Sequence, residues 1–288
     1  MLEAEVYLKH EEYLPLGAFK GRGGINLLAN LSEEEKELGL ITASSGNHGQ
    51  SMASACKMFG VKAVIGLPED ANPNKVAAMR ALGAELIFHG ADFDAARLHC
   101  EQLAKEEGYR FVHPVNDPLL VAGVGTQALE TIEDLPDVQV LMIPLGGGSG
   151  VSGACIVAKG IDPAIEVLAV QSEQAPAGYL SWKQGEIVEA EMKTFAEGVA
   201  TASGYELAQA IIKELLDDFL LVSDDEIRRA IGTLVDKAHT LAEGAGATAL
   251  AGAIKYPEKV KGKKVAITVS GANITVEQLR KSLEVYQG

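Results

Sequence analysis

The chain has few cysteines: only Cys56, Cys100 and Cys155 occur among its 288 residues. They are odd in number, widely separated and form no Cys-x-x-Cys pair, so the sequence indicates neither a disulfide framework nor a zinc knuckle. The start of the chain lacks the basic and apolar segments of a signal peptide and carries the acidic residues Glu3 and Glu5 instead. We therefore expect a reducing, cytoplasmic location.

Basic residues are also scarce, since 25 lysines and arginines stand against 40 aspartates and glutamates and give a formal net charge of −15. This charge would repel nucleic-acid phosphates and anionic membrane surfaces. One long stretch without charges, Val140 to Ala158, contains Pro144 and three consecutive glycines, which argues against a membrane span. We expect neither a nucleic acid nor a membrane as a partner, and we interpret this stretch as strand, loop and helix.

Short runs rich in β-branched residues alternate with longer amphipathic stretches, a pattern typical of a parallel sheet with crossover helices. The predicted strands are Val6 to Lys9, Leu40 to Ala43, Ala63 to Leu67, Glu85 to Phe88, Val140 to Pro144, Val167 to Gln171, Phe219 to Val222 and Val265 to Val269. The predicted helices are Ser51 to Phe59, Asn72 to Leu82, Asp92 to Glu107 and Asp224 to His239. Turn-forming residues predict a small domain over 34–116, inserted into a large domain made of 1–33 and 117–288.

Glycine is abundant, at 31 residues, and the richest loop runs from Pro144 to Gly153. It follows a predicted strand and precedes a helix-compatible run. Bare backbone N–H groups at a helix N-terminus bind phosphate, and three consecutive glycines favour this interpretation over a simple tight turn.

The same loop contains Gly148-x-Gly150-x-x-Gly153, the dinucleotide-binding fingerprint. In that case the next strand should end in an acidic residue that binds the ribose, but it ends in Gln171-Ser172. A nicotinamide-dependent oxidoreductase therefore stays as an alternative from a different class.

Two further segments contain side chains that could bind a ligand or react with one. Ala43 to Gln50 joins a strand to a helix, and its serines, asparagine and free amides could hold a carboxylate or a phenolate oxygen. The composition of this segment alone favours an ordinary N-cap turn. In Leu16 to Gly24, Lys20 lies among small residues. A desolvated lysine has a lowered pKa and can form an imine, whereas an ordinary surface lysine is the simpler interpretation of this segment alone.

In this order, the segments resemble the fold type II family of pyridoxal-phosphate enzymes, which includes threonine and serine dehydratases and serine racemase. The motifs that carry the resemblance are Gly17-Ala18-Phe19-Lys20-x-Arg22-Gly23, Ser44-Ser45-Gly46-Asn47-His48, Gly146 to Gly150, Phe195-Ala196-Glu197-Gly198, Glu243-Gly244-Ala245-Gly246-Ala247 and Ser270-Gly271-Ala272-Asn273. The resemblance runs the full length of the chain. It implies an α/β fold with two lobes of open, twisted, mostly parallel sheet flanked by helices.

The resemblance implies pyridoxal 5′-phosphate as cofactor, with Lys20 as the Schiff-base lysine and Phe19 packed beside the cofactor ring. Ser270 would face the pyridine nitrogen, and Asn47 would hydrogen-bond the 3′-oxygen. The other implied cofactor contacts are Gly146, Gly147, Gly148, Ser149, Gly150, Gly198 and Glu243. The carboxylate of an amino-acid substrate would be held by Ser44, Ser45, Gly46, Asn47 and His48.

The implied activity is that of an ammonia-lyase (dehydratase) that converts L-threonine, L-serine or a related β-hydroxy amino acid to a 2-oxo acid and ammonia. The hydroxyl of Ser270 cannot hold the ring nitrogen protonated as a carboxylate would, which suits β-elimination. An amino-acid racemase and a threo-3-hydroxyaspartate dehydratase stay as alternatives, because such relatives use a serine at the position of Ser45 as acid/base on the substrate face opposite the lysine. An amide-capping hydroxyl is the other interpretation of Ser45.

Three more expectations follow from the resemblance. Many relatives bind Mg or Ca through a Glu and an Asp where this chain has Gln171 and Ala177, and hard cations require carboxylates, so we expect no metal. Fewer residues precede the lysine motif than is usual in the family, so a non-catalytic remnant of the fold stays as an alternative. It also ends at Gly288, so we expect an unregulated, catabolic type, and we expect a homodimer.

Overall fold

The structure is a computed structural model that describes residues 2–71, 73–91 and 93–288, with Asn74 described by its backbone only. The strands are β1 (Glu5–His10), β2 (Leu40–Ala43), β3 (Ala63–Leu67), β4 (Glu85–Phe88), β5 (Arg110–Phe111), β6 (Val140–Pro144), β7 (Glu166–Ser172), β8 (Asp218–Val222) and β9 (Lys264–Val269). The helices are α1 (Lys20–Ala29), α2 (Glu33–Leu38), α3 (Asn47–Phe59), α4 (Pro73–Ala81), α5 (Phe93–Glu107), α6 (Pro118–Asp134), α7 (Ser149–Ile161), α8 (Ala177–Gln184), α9 (Glu206–Leu215), α10 (Asp224–Ala238), α11 (Gly244–Lys255) and α12 (Val276–Val285).

Contacts between Cα atoms divide the chain into two compact units. Unit 1 contains the described residues up to Phe19 together with Val124–Gly288, and unit 2 contains Lys20–Gly123. This grouping reflects only which residues lie close together, so the domain limits at 34 and 116 remain a prediction.

Unit 1 is built on a parallel sheet with the strand order β1-β9-β6-β7-β8. Its central strands are apolar on both faces, as expected for a parallel sheet covered by helices on both sides. Val140 and Met142 belong to a core cluster with residues of α10 and α11, whereas Leu141 and Ile143 belong to a second cluster with residues of α7 and α9. This alternation follows from the two-residue period of a strand.

Unit 2 contains a second parallel sheet, with the order β4-β3-β2-β5. On β2, Leu40 packs in a cluster with residues of α1 and α3, and Ile41 packs in another cluster with Cys100 and Ala104 of α5. The predicted α/β class with parallel sheets flanked by helices is confirmed in both units.

Every predicted strand is present, and its ends differ by one residue at most from the prediction. The short strand β5 was not predicted. Two predicted helices begin at Asn72 and Asp92, which lie outside the described residues, and the described helices there begin at Pro73 and Phe93.

Helices differ in how they begin. Helices α2, α10 and α12 each start with a complete capping box, formed by Ser32 and Glu35, Ser223 and Glu226, and Thr275 and Gln278. Such a box satisfies free N–H groups of the first turn with side chains of the chain itself. In contrast, no side chain caps the N-terminus of α3, α7 or α11, all of which begin at motifs that carry the family resemblance.

The three cysteines are free thiols buried in the core. Burial raises the pKa of Cys56 and Cys155 to about 12, and that of Cys100 to about 11. In the described part of the chain, no helix is both long enough and apolar enough to span a bilayer.

Candidate active site

Several sequence motifs follow strands of the unit 1 sheet. The lysine motif follows β1, the Ser270 motif follows β9, and the glycine loop follows β6. These strands are parallel neighbours, so their carboxyl ends lie at the same edge of the sheet, where α/β proteins bind their ligands.

The segment before Lys20 is tied to the Ser270 motif through the backbone. The Phe19 N–H donates to the Ser270 carbonyl at 3.0 Å, and the Ala272 N–H donates to the Gly17 carbonyl at 2.9 Å. Gly17 has φ +64°, a conformation that glycine adopts without strain. These bonds fix Phe19 beside Ser270, whose side chain is buried.

The glycine loop packs against two other motifs of the same unit. A Cβ atom at Gly146 would overlap the carbonyl oxygen of Gly198, and a Cβ atom at Gly198 would lie 2.6 Å from the Cβ of Ala245. Gly148 has φ +106° and precedes the first residue of α7, Ser149. The loop therefore requires glycine for close backbone approach and for a left-handed turn.

Glu243 connects the remaining predicted residues of unit 1. Its N–H donates to the Gly271 carbonyl at 2.9 Å, and a Cβ atom at Gly271 would lie 2.6 Å from its Oε1 atom. The same oxygen is 3.8 Å from the Cβ position of Gly198. Unit 1 thus brings together Phe19, Gly146 to Gly150, Gly198, Glu243 and Ser270.

In unit 2, Lys20 is the first residue of α1, and its backbone is hydrogen-bonded to α3. The Ser51 hydroxyl of α3 donates to the Lys20 carbonyl at 2.7 Å. Helices α1 and α3 approach closely there, because a Cβ atom at Gly24 would lie 2.5 Å from Ser51 Oγ. Desolvation by burial lowers the pKa of Lys20 to about 8, so about a tenth of the amine is uncharged at pH 7, far more than for an ordinary lysine.

The asparagine loop lies between β2 and α3. Ser44, Ser45 and Gly46 form the connection and Asn47 is the first helical residue, so the loop places its polar groups at an uncapped helix N-terminus. The Ser44 hydroxyl accepts a hydrogen bond from the Gly46 N–H at 3.2 Å. Such a terminus favours a negatively charged ligand group.

His48 is buried, and its ring is held by Thr42 of β2. Thr42 Oγ1 lies 3.1 Å from His48 Nε2 and donates its own proton to the Val112 carbonyl at 2.7 Å. Since a hydroxyl has one proton, His48 Nε2 must be the donor to Thr42, which leaves Nδ1 without a proton. Desolvation by burial, and to a smaller extent the nearby charges of Lys20 and His113, lower the pKa of His48 to about 3.

We expect His48 to stay neutral between pH 5 and 8 and to make the fold sensitive to acid. Its pKa is lower in the folded chain (about 3) than at its ordinary value of 6.5, so only the unfolded chain takes up the proton as pH falls through 6.5. From pH 7 to pH 5, the free energy of unfolding should therefore fall by about 2 kcal/mol more in the wild type than in His48→Gln. Urea unfolding at both pH values measures this difference, and equal pH dependence of the two proteins would contradict it.

Gln171 and Ala177, at the positions where the resemblance places metal ligands, both lie in the core. Gln171 Oε1 accepts from the Tyr179 N–H at 3.0 Å, and Gln171 Nε2 donates to Thr201 Oγ1 at 3.4 Å. The amide is therefore used inside the fold, and the expectation of no metal remains a prediction.

Sequence reasoning missed Ser51 and Thr42, which hold Lys20 and His48 in place. Ser51 lies four residues after Asn47 and reads as an ordinary helical serine. Thr42 reads as a β-branched strand residue. No local pattern distinguishes them, because their partners lie 31 and 70 residues away in sequence.

With this geometry, the chain can be compared with known proteins. The chain belongs to the family of pyridoxal-phosphate dependent enzymes, whose family profile matches residues 1–271. The family resemblance predicted from the six motifs is therefore confirmed, as is the pyridoxal-phosphate cofactor of that family.

Among individual relatives, the chain is similar to the L-threonine ammonia-lyase of Thermotoga maritima, with 41% identity over 276 residues that cover 96% of this chain and 69% of the relative. Among solved structures, it is similar to the processed form of threonine deaminase isoform 2 from Solanum lycopersicum, with a TM-score of 0.95, 36% identity, and coverage of 99% of this chain and 84% of the other. The serine racemase of Dictyostelium discoideum has a TM-score of 0.90 and 35% identity, with coverage of 96% and 90%.

Family membership also decides how the glycine loop is interpreted. Gly153 belongs to the dinucleotide fingerprint, but its carbonyl oxygen lies 3.2 Å from the Cβ position of Gly125, so it serves the packing of α7 on α6. The family binds pyridoxal phosphate, so the fingerprint no longer indicates a nicotinamide dinucleotide, and the binding of phosphate by this loop remains a prediction. The oxidoreductase alternative is set aside.

Proposed function

We propose that this protein is a pyridoxal-phosphate-dependent ammonia-lyase that converts L-threonine, L-serine or a related β-hydroxy amino acid to a 2-oxo acid and ammonia. The single observation that supports this best is Lys20. Its amine has a pKa lowered to about 8 by burial, and its backbone is fixed on both sides, by the bond from Phe19 to Ser270 and by the bond from Ser51. An uncharged, positioned amine is what an amine nucleophile or base requires.

The residues of unit 1 fit the cofactor. Gly146 and Gly148 leave backbone without side chains at the start of α7, and no side chain caps this helix. Free N–H groups at a helix N-terminus suit a phosphate dianion. Gly146 to Gly150 would hold the phosphate, while Phe19, Gly198, Glu243 and Ser270 would contact the rest of the cofactor.

When bound, pyridoxal phosphate supplies an aldehyde that reacts with amines and a ring that stabilises negative charge at a substrate α-carbon. Lys20 would bond to this aldehyde at rest and, once released, would accept the α-proton on its Nζ atom. Ser270 presents a neutral hydroxyl at its motif, which keeps the ring a moderate electron acceptor. Asn47, which begins α3, would bind the cofactor's 3′-oxygen.

The substrate carboxylate would bind at the other uncapped helix N-terminus, that of α3. The backbone and hydroxyl groups of Ser44 and Ser45, with Gly46 and Asn47, provide the donors there. His48 supports this end as a neutral ring whose Nε2 proton is engaged by Thr42. Because His48 is uncharged, it does not attract the substrate carboxylate by charge, and amide and hydroxyl donors would bind the carboxylate instead.

Reduction and product analysis test the proposal together. The protein should acquire a visible absorption band on addition of pyridoxal phosphate, and borohydride should attach the label to Lys20, as identified by mass spectrometry. Incubation with L-serine, L-threonine and L-threo-3-hydroxyaspartate should yield a 2-oxo acid from at least one of them. A protein that takes up no cofactor, or that takes it up and forms no product, is a non-catalytic remnant of the fold.

A second candidate function is amino-acid racemisation, which Ser45 favours. This residue lies in the loop before Asn47 and is partly exposed, so its hydroxyl can reach a bound ligand. Relatives of known structure include a serine racemase, which supports keeping this activity beside elimination.

Ser45→Ala separates the two activities. If Ser45 is the acid/base on the opposite face, the variant should lose D-enantiomer formation by at least about a hundredfold and keep most of its 2-oxo acid formation. Chiral chromatography and 2-oxo acid assay of the same reaction measure both. D-product that persists at the wild-type rate would show that this hydroxyl only caps the loop.

We also propose a homodimer in the cytoplasm. The support is the family resemblance for the dimer, and the three free, buried thiols for a reducing location. Sedimentation analysis of the cofactor-loaded protein tests the dimer, and cell fractionation tests the location.

A further inference from the structure

Gln127 of α6 is a buried amide without hydrogen bonds. Its exposed fraction is 1%, and neither its Nε2 nor its Oε1 atom has a partner. Within the described residues, no other side-chain amide is buried with both of its polar atoms unpaired. Buried polar groups are normally paired, so an unpaired one points to a partner that the polypeptide itself does not provide.

The amide lies next to the start of α7. A Cβ atom at Gly150 would lie 3.5 Å from Gln127 Nε2 and 3.3 Å from the Phe19 ring. Gly150 is the second residue of α7, and this helix N-terminus carries no side-chain cap. The unpaired donor therefore lies beside the backbone that the phosphate would use.

The position of Gln127 is fixed by its own helix. Helices α6 and α7 approach closely where Gly125 meets Gly153, at 3.2 Å between a Cβ position and a carbonyl oxygen. The Gln127 carbonyl is already used, since it accepts from Thr131 Oγ1 at 2.7 Å. Only the side-chain amide remains available.

We propose that Gln127 donates a hydrogen bond from Nε2 to the phosphate group of the cofactor, a role that rests on the function proposed above. A phosphate dianion has only acceptor oxygens, and the loop from Pro144 to Gly153 contains no lysine or arginine. The loop itself therefore offers only neutral donors, and the preformed amide of Gln127 adds to its backbone N–H groups without adding charge. Gln127 is a specificity-determining residue for the phosphorylated cofactor.

Two substitutions and two ligands test this role. Gln127→Met keeps the length of the side chain and removes the donor, and Gln127→Glu keeps the shape and adds a negative charge. The dissociation constants of pyridoxal phosphate and of pyridoxal, which lacks the phosphate, are measured by fluorescence titration of the cofactor-free protein. Ser282→Ala is the control, because its hydroxyl is also buried but donates to the Gln278 carbonyl within α12, outside the six motifs.

We expect Gln127→Met to weaken pyridoxal phosphate binding by about tenfold or more and to leave pyridoxal binding unchanged. Gln127→Glu should weaken pyridoxal phosphate binding further, because a carboxylate repels the dianion. Ser282→Ala should bind both ligands as the wild type does. The thermal midpoint of cofactor-free Gln127→Met should equal or exceed that of the wild type, because the unpaired amide is removed.

Other results would overturn the inference. Unchanged pyridoxal phosphate binding in Gln127→Met, or an equal loss for both ligands, would mean that the amide only fills space or holds a water molecule. A comparable loss in Ser282→Ala would assign the effect to the removal of any buried polar group. If the wild type itself binds neither ligand, the proposed function fails as well, and this result is distinct from a wild type that binds while the variants do not differ.

Discussion

Lys20→Met is expected to abolish catalysis and to stabilise the cofactor-free protein. The variant cannot accept a proton or bond to the aldehyde, so turnover should fall at least about a thousandfold. Stability should change in the opposite direction. Burial lowers the pKa of Lys20 from 10.5 to about 8, so the folded protein carries an unfavourable charge at neutral pH that methionine removes.

The pH dependence gives the sign of this effect. Between pH 8 and 10.5 the unfolded chain holds the Lys20 proton more tightly than the folded chain does, so wild-type stability rises with pH across this window. Lys20→Met should therefore exceed the wild type in free energy of unfolding by about 3 kcal/mol at pH 7, and this gap should close toward pH 10.5. Denaturant unfolding of the cofactor-free proteins measures the gap.

Lys105→Met is the matched control in the same unit, because Lys105 is an exposed residue in the last turn of α5. It should keep wild-type turnover and change the free energy of unfolding by no more than about 0.5 kcal/mol. A Lys20→Met protein that retains turnover, or that is less stable than the wild type at pH 7, would remove Lys20 from the chemistry proposed here.

Gly146→Ala is expected to prevent cofactor binding and to destabilise unit 1. The new Cβ atom would overlap the carbonyl oxygen of Gly198, which is backbone and cannot rotate away. The glycine loop or the segment around Gly198 must therefore shift, at a cost of about 3 kcal/mol. The affinity for pyridoxal phosphate should fall at least about a hundredfold, since both segments are proposed to hold it. Thermal unfolding and cofactor titration measure the two effects.

Gly160→Ala provides the control for a glycine substitution in the same part of the fold. Gly160 lies in the last turn of α7, and its Cβ position has no neighbour within 4 Å. Alanine should leave cofactor binding unchanged and stabilise the helix by about 0.5–1 kcal/mol. Wild-type affinity in Gly146→Ala would refute the close packing of the loop as a requirement for the cofactor.

The central strands were predictable because burial on both sheet faces makes them continuous apolar runs. Val140–Pro144 and Ala63–Leu67, for example, match their predicted limits. Among the described helices, α1, α2, α6, α8, α9, α11 and α12 were not predicted. Helices α1 and α11 contain several glycines, which weaken helix propensity. Their glycines instead allow close contacts, such as that between Gly24 and Ser51. Local pattern and tertiary packing therefore disagree at these two helices.

For the candidate site, the motifs indicated which residues to consider but not how they are held. The tautomer of His48 depends on Thr42 and on the carbonyl of Val112, which lies 70 residues further along the chain than Thr42. The isolation of the Gln127 amide likewise depends on how α6 packs on α7. Such relations arise only when distant segments meet, so a linear reading of the sequence does not contain them.

The three buried cysteines can also serve as native probes of local, transient unfolding. An alkylating reagent reacts with the thiolate, so in the native fold each sulfur should resist it until the surrounding segment opens. Cys155 reports on unit 1, whereas Cys56 and Cys100 report on unit 2. The alkylation rate of each cysteine, followed by mass spectrometry, would therefore measure how often unit 1 and unit 2 open, each independently of the other and without an engineered probe.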